Sequence, residues 1–119
     1  MARVLLVEDH DDIRDTTALR LELNGHDVVA VADAGAARVA SSEQPFDVAV
    51  LDIQLPDTDG IALLRQLRSG PATAHLPVVF YTAHSSAEVA ARAAPLARAY
   101  LTKGPSVSPL LDTIASVVP

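Results

Sequence analysis

Five polar residues stand at or just past the ends of short apolar runs, and together they could handle an anion. Glu8 and Asp9 follow Arg3–Val7, Asp52 follows Asp47–Leu51, Thr82 follows Leu76–Tyr81, and Lys103 lies just beyond Ala97–Leu101. Three carboxylates brought together repel, and unaided at least one is pushed toward protonation. A hard cation that prefers oxygen relieves the conflict. Mg2+ suits a small acidic cluster, because it keeps several waters and accepts phosphate oxygens. Lys103 is the only lysine among nine basic residues, and a compact ammonium is a good point-charge partner for phosphate or carboxylate.

Those residues meet only if the runs before them lie side by side. Arg3–Val7, Asp27–Val31, Asp47–Leu51 and Leu76–Tyr81 read as strands, with Ala97–Leu101 a shorter fifth. Continuous apolar runs of this length fit strands buried on both faces of a parallel sheet. The segments between them read as helices. Asp12–Leu23 carries Ile13, Thr17 and Leu21 on one side and stops at Asn24-Gly25. Ala34–Ser42 stops before Pro45, and Ile61, Leu64 and Leu67 repeat at helical spacing up to Gly70-Pro71. Ser85-Ser86-Ala87-Glu88 has capping-box spacing, which predicts Ser85 as cap of a helix over Ser85–Ala94. Val107, Leu110, Leu111, Ile114 and Val117 form a last stripe, with Ser108-Pro109 as its cap and first turn. Five strands alternating with five helices predict an α/β, doubly wound parallel sheet. In such sheets ligands bind beyond the carboxyl ends of the strands, where the five polar residues would converge.

Composition narrows the function. The chain of 119 residues is one domain long, with 50% hydrophobic residues and 20% charged. Area scaling gives roughly 6,000 Å2 of exposed surface after folding. The absence of cysteine excludes disulfides and thiolate metal sites. A net charge of −6 with 3% aromatics supplies neither the basic patch nor the stacking rings of a nucleic-acid surface. Val4–Val7 is too short for a signal peptide or a membrane span. The expectation is a soluble, cytoplasmic domain.

The chain resembles the receiver domains of two-component response regulators along essentially its whole length. The resemblance is carried by Val4-Leu5-Leu6-Val7-Glu8-Asp9, Leu51-Asp52-Ile53-Gln54-Leu55-Pro56-Asp57-Thr58-Asp59-Gly60, Phe80-Tyr81-Thr82-Ala83 and Ala99-Tyr100-Leu101-Thr102-Lys103. It implies a flavodoxin-like (βα)5 sheet of order 2-1-3-4-5 over residues 1–119. It also implies that Asp52 is the phosphoacceptor, taking a phosphoryl group from a histidine of a sensor kinase or of a histidine phosphotransfer protein. Glu8 and Asp9 resemble the acidic pair for Mg2+, with Asp52 and the carbonyl of Gln54 as further ligands. Thr82 resembles the hydroxyl that bonds the phosphoryl oxygen, Lys103 the lysine that pairs with Asp52, and Tyr100 the aromatic switch. Pro56 and Gly60 would shape the loop after the acceptor. The implied protein is not an enzyme in the ordinary sense: its chemistry is its own phosphorylation and dephosphorylation, and it signals to a downstream protein. Nothing but Pro119 follows the last helix, so no fused DNA-binding output is expected. Gly104 stands where the family usually has proline, which bears on the loop into the last helix.

Other readings compete less well. Asp11 and Asp12 are acidic residues at a helix start, complementing its dipole. His84 is read as flanking the site, and His10, His26 and His75 as loop or solvent residues. Asp57-Thr58-Asp59-Gly60 imitates a calcium-loop segment, but Leu55 and Gln66 occupy the end ligand positions. A haloacid-dehalogenase-type phosphatase wants a second Asp where Gln54 stands. A phosphorelay shuttle between histidines would use the same site chemistry as a switch, and a phosphoaspartyl hydrolase is the remaining alternative.

Overall fold

The computed structural model describes residues 1–83 and 86–118. Among them run β1 (Arg3–Val7), α1 (Asp11–Leu23), β2 (Asp27–Val31), α2 (Ala34–Glu43), β3 (Val48–Leu51) and α3 (Gly60–Ser69). β4 (Val78–Thr82), α4 (Ala87–Ala93), a 3-10 turn (Ala94–Leu96), β5 (Ala99–Thr102) and α5 (Ser108–Val117) follow. All strands are parallel, in the order β2-β1-β3-β4-β5. The accessible surface is 6078 Å2, as area scaling anticipates.

Strand alternation divides the core into two layers. Leu5, Val7, Leu51, Val78 and Phe80 face α2, α3 and α4, where they meet Ala37, Leu63, Leu64 and Ala93. Val4, Leu6, Val48, Val50, Val79 and Tyr81 face α1 and α5, where they meet Leu21, Leu110 and Ile114. Leu110 and Ile114 are fully buried, and at about 1.5–3 kcal/mol each they are the anchors that hold α5 on the sheet.

Several expectations shift. Every residue of β3 and β4 is buried, but β2 and β5 are edge strands with partly exposed residues. A run of valines and alanines reads alike at the centre and at the rim. β5 begins two residues later than its apolar pattern, because Pro95 sits in the 3-10 turn. Ser85, like His84, lies outside the described residues. The observed cap of α4 is Ser86, whose Oγ accepts from the Val89 N–H at 3.4 Å. α5 starts at Ser108 itself, so that serine is not its cap; Ser106 Oγ accepts from the Ser108 N–H at 3.1 Å. In α1, Thr17 and Leu21 are buried, whereas Ile13 is 37% exposed and stands at the carboxyl edge of the sheet.

Candidate functional site

Register places the site. Val7 pairs with Leu51, so Glu8 and Asp52 emerge one step beyond on neighbouring strands. The Asp52 N–H continues that ladder by donating to the Val7 carbonyl at 3.2 Å. Thr82 pairs with Thr102, and the Lys103 N–H donates to the Thr82 carbonyl at 2.8 Å. Three central strands and one edge strand thus deliver Glu8, Asp52, Thr82 and Lys103 to one edge. All four, with Asp9, Gln54 and His10, line one cavity of about 170 Å3.

The Lys103 ammonium lies between two carboxylates. Its Nζ donates to Asp52 Oδ2 at 2.7 Å and to Glu8 Oε1. Glu8 is 2% exposed and Asp52 7% exposed, so neither charge is left to water. Burial pulls the Lys103 pKa down, but the hydrogen bonds from Asp52 and Glu8 and their charges outweigh it. The ammonium ends above its ordinary value. Among the described residues, Asp52 Oδ1 has only a long contact, 3.3 Å, from the Gln54 N–H.

The loop after Asp52 is folded back on itself. The Gly60 N–H donates to the Ile53 carbonyl at 2.7 Å, and Gln54 bridges Asp59 in antiparallel fashion. A Cβ on Gly60 would sit 2.2 Å from the Asp52 carbonyl oxygen, so only glycine allows this approach. Asp59 caps α3 through the Ala62 N–H at 2.8 Å. Asp57 reaches across to α2, where its two oxygens accept from the N–H groups of Ala34 and Gly35, each at 3.0 Å. Those backbone hydrogen bonds hold its carboxyl below the usual range. The acidic run that imitates a calcium loop is therefore two helix caps, one local and one long-range.

The residues fit a hard cation at the mouth of the cavity. Glu8, Asp9 and His10 each offer a ligand atom, and these lie within 4.8 Å of one another. Glu8 is already engaged through both oxygens, by Lys103 and by the His10 N–H at 3.1 Å. Asp9 is exposed and makes no hydrogen bond among the described residues, so it is the carboxylate open to a metal. Asp52 stands outside that tight group of side-chain ligand atoms, although it and Gln54 line the same cavity. His10 is the exposed loop residue read from the sequence, and it also lines this cavity; the one signal for that second role is its position directly after the acidic pair. Arg14 was also missed: its guanidinium donates to the Glu8 carbonyl at 3.0 Å and pairs with Asp11 at 2.7 Å. His26 is structural, its Nδ1 accepting from the Ala2 N–H at 3.1 Å, and His75 is an exposed turn residue as expected.

Thr82 is 1% exposed against the cavity. Tyr100 is half-buried on β5, its ring centroid 6.2 Å from that of Phe80 and tilted by 57°. Burial raises the Tyr100 phenol pKa, and the Asp52 charge raises it further, so the two groups interact through space.

The response regulator receiver domain family matches residues 4–115. Response regulator protein FleR of Pseudomonas aeruginosa is 36% identical over 115 residues, which cover 96% of this chain and 24% of that protein. The gliding motility regulatory protein of Myxococcus xanthus is 37% identical over 103 residues, covering 86% of this chain and 13% of that protein. The chain thus spans a quarter or less of the length of these two relatives. The chemotaxis response regulator CheY4 of Vibrio cholerae superposes with a TM-score of 0.89 at 27% identity, covering 99% of both chains. No helix among the described residues is long and apolar enough to cross a membrane. With the 2-1-3-4-5 sheet and an acidic pair, an aspartate, a threonine and a lysine at its carboxyl edge, the chain belongs to the response regulator receiver family, whose members are signalling phosphoacceptors of two-component systems.

Proposed function

We propose that residues 1–119 act as one cytoplasmic receiver unit. In it Asp52 accepts a phosphoryl group, with Mg2+, from a histidine of a sensor kinase or histidine phosphotransfer protein, and the modified surface is read by a downstream protein. The observation that carries this reading is the Lys103 ammonium set between two buried carboxylates at the carboxyl edge. An ion triad so placed is a poor stabilising device, because burying charges costs much of what their attraction returns. Its one ammonium offers an incoming phosphoryl oxygen a partner, and its net negative charge is what a divalent cation would offset.

Phosphoryl transfer asks a protein mainly for positioning and charge neutralisation. Asp52 Oδ2 is held by Lys103, which leaves Oδ1, with its one long contact, to attack phosphorus in line as the bond to the histidine nitrogen breaks. The Lys103 ammonium then neutralises the equatorial oxygens, and the Thr82 hydroxyl bonds one of them. Asp9, exposed at the cavity, would hold Mg2+ together with Glu8, Asp52 and the Gln54 carbonyl. When bound, the metal supplies positive charge to the transferring group. The chemistry of the unit is confined to gaining and losing its own phosphoryl group.

Output follows from charge. A phosphoryl group adds negative charge and acceptor oxygens at Asp52. Thr82 moves to bond it, and Tyr100, which already feels the Asp52 charge, turns inward beside Phe80. The phosphoryl group shifts the population only by interacting better with one of two arrangements. Amide chemical shifts recorded with and without beryllofluoride, a stable substitute for the phosphoryl group, test this. Changes should extend into Ala87–Ala93 and around Tyr100, and should be largely lost in Thr82→Ala. Changes confined to the loops bearing Glu8, Asp52 and Lys103 contradict the switch and favour a phosphorelay shuttle.

A further inference from the structure

Behind Lys103, on the α1–α5 face of the sheet, lies a second and larger cavity of about 350 Å3. It exceeds the ~150 Å3 that admits a benzene ring, and falls in the range of ~300–1,000 Å3 usual for ligand pockets. Its walls are largely apolar, with Ile13 of α1 and Val107 before α5 on opposite sides. Gly104 leaves it open: a Cβ there would meet nothing within 4 Å.

Two hydroxyls argue that the cavity is more than loose packing. Thr17 is 7% exposed and Tyr81 is 8% exposed, both line the cavity, and neither hydroxyl makes a hydrogen bond among the described residues. No buried side-chain polar atom of the described residues is sealed away without a partner, so these hydroxyls open into the cavity itself. A cation joins them. Arg20 stands one turn from Thr17, makes no ion pair among the described residues, and lies close enough to Tyr81 to act on its phenol. Asp12 is the one acidic residue lining the cavity.

We propose that this cavity binds a small organic carboxylate with a flat apolar body. The carboxylate accepts from the Arg20 guanidinium and from the Thr17 and Tyr81 hydroxyls, and the body lies between Ile13 and Val107. A guanidinium with two convergent hydroxyls is a donor set for a planar anion. Because Lys103 lines both cavities, the ligand sits against the rear of the phosphoacceptor pocket.

The probe is 2-naphthoate, titrated into the 15N-labelled chain, with 2-naphthamide as its neutral twin. Saturable amide shifts should cluster over 13–20, at Tyr81 and over 104–107. The amide should bind roughly tenfold more weakly, as loss of one charge-assisted contact implies. Arg20→Met should erase the preference for the acid, and Tyr81→Phe should weaken naphthoate severalfold; thermal unfolding of each variant checks that it is folded. The proposal is overturned by equal affinity for acid and amide, by unchanged affinity in both variants, or by shifts located elsewhere. It is also overturned if naphthoate shows no saturable binding, as expected of a cavity reserved for a partner's side chain.

Discussion

Replacing Lys103 with Met keeps most of the side chain's volume and removes the one cation shared by Glu8 and Asp52. Breaking a buried pair by deleting one partner costs about 3–5 kcal/mol. Here the deleted group serves two carboxylates whose side chains are 3% and 9% exposed, so the upper part of that range applies. Against a total stability of about 5–15 kcal/mol the loss is large. At roughly 4 °C per kcal/mol for a chain of this length it lowers Tm by about 16–20 °C. Urea unfolding at pH 7 measures it directly. The triple variant Glu8→Gln, Asp52→Asn, Lys103→Met, with all three charges gone, should recover most of the loss, since only uncompensated charge is expensive. The pH dependence has a definite sign. Lys103 titrates above its ordinary value in the folded chain. Its contribution is therefore complete below the unfolded pKa of about 10.4 and disappears as pH rises through the higher folded value. The stability difference between the parent chain and Lys103→Met should thus be flat to about pH 10 and shrink above it. Taking the difference removes Tyr100, whose raised pKa also costs stability at alkaline pH; the raised Tyr81 phenol does not cancel, because the Lys103 charge that lowers it is absent from the variant. A Lys103→Met chain within about 1 kcal/mol of the parent, or a triple variant no better than the single one, refutes the reasoning.

Asp9→Ala should abolish the rise in Tm that Mg2+ gives the parent chain by mass action, because Asp9 is the carboxylate with no protein partner among the described residues; a full Mg2+ effect in the variant places the metal elsewhere. Gly60→Ala should cost at least about 1–3 kcal/mol by forcing a Cβ against the Asp52 carbonyl. Gly104→Ala, with open space around it, should stay within about 0.5 kcal/mol of the parent. Denaturant midpoints of the two variants decide whether crowding, rather than loss of glycine as such, sets the cost.

The buried centre of the fold was legible because β3 and β4, covered on both faces, read as unbroken apolar runs. Rim and centre were not separable, since the pattern of β2 records apolar residues and not how many neighbours its strand has. Boundaries slipped where two equivalent residues adjoin: Ser85 and Ser86 are both able caps, and only backbone geometry selects Ser86. In the site, the residues at strand ends were legible because the sheet leaves them one place to go. What stayed hidden was long-range and aperiodic. Asp57 caps a helix over twenty residues earlier in the chain, and no local spacing announces that. His10 enters the cavity only because α1 begins immediately after the acidic pair. The sharing of Lys103 between Asp52 and Glu8 depends on the length of the Glu8 side chain, which motif order does not register.

The central claim is that Asp52 is the nucleophile. The most direct measurement is the intact mass of the chain after incubation with acetyl phosphate and Mg2+, for the parent and for Asp52→Asn. The account predicts the mass gain of a single phosphoryl group on the parent and none on Asp52→Asn, with a cooperative thermal transition showing that the variant is folded. Undiminished labelling of Asp52→Asn would contradict it and assign the nucleophile to another residue.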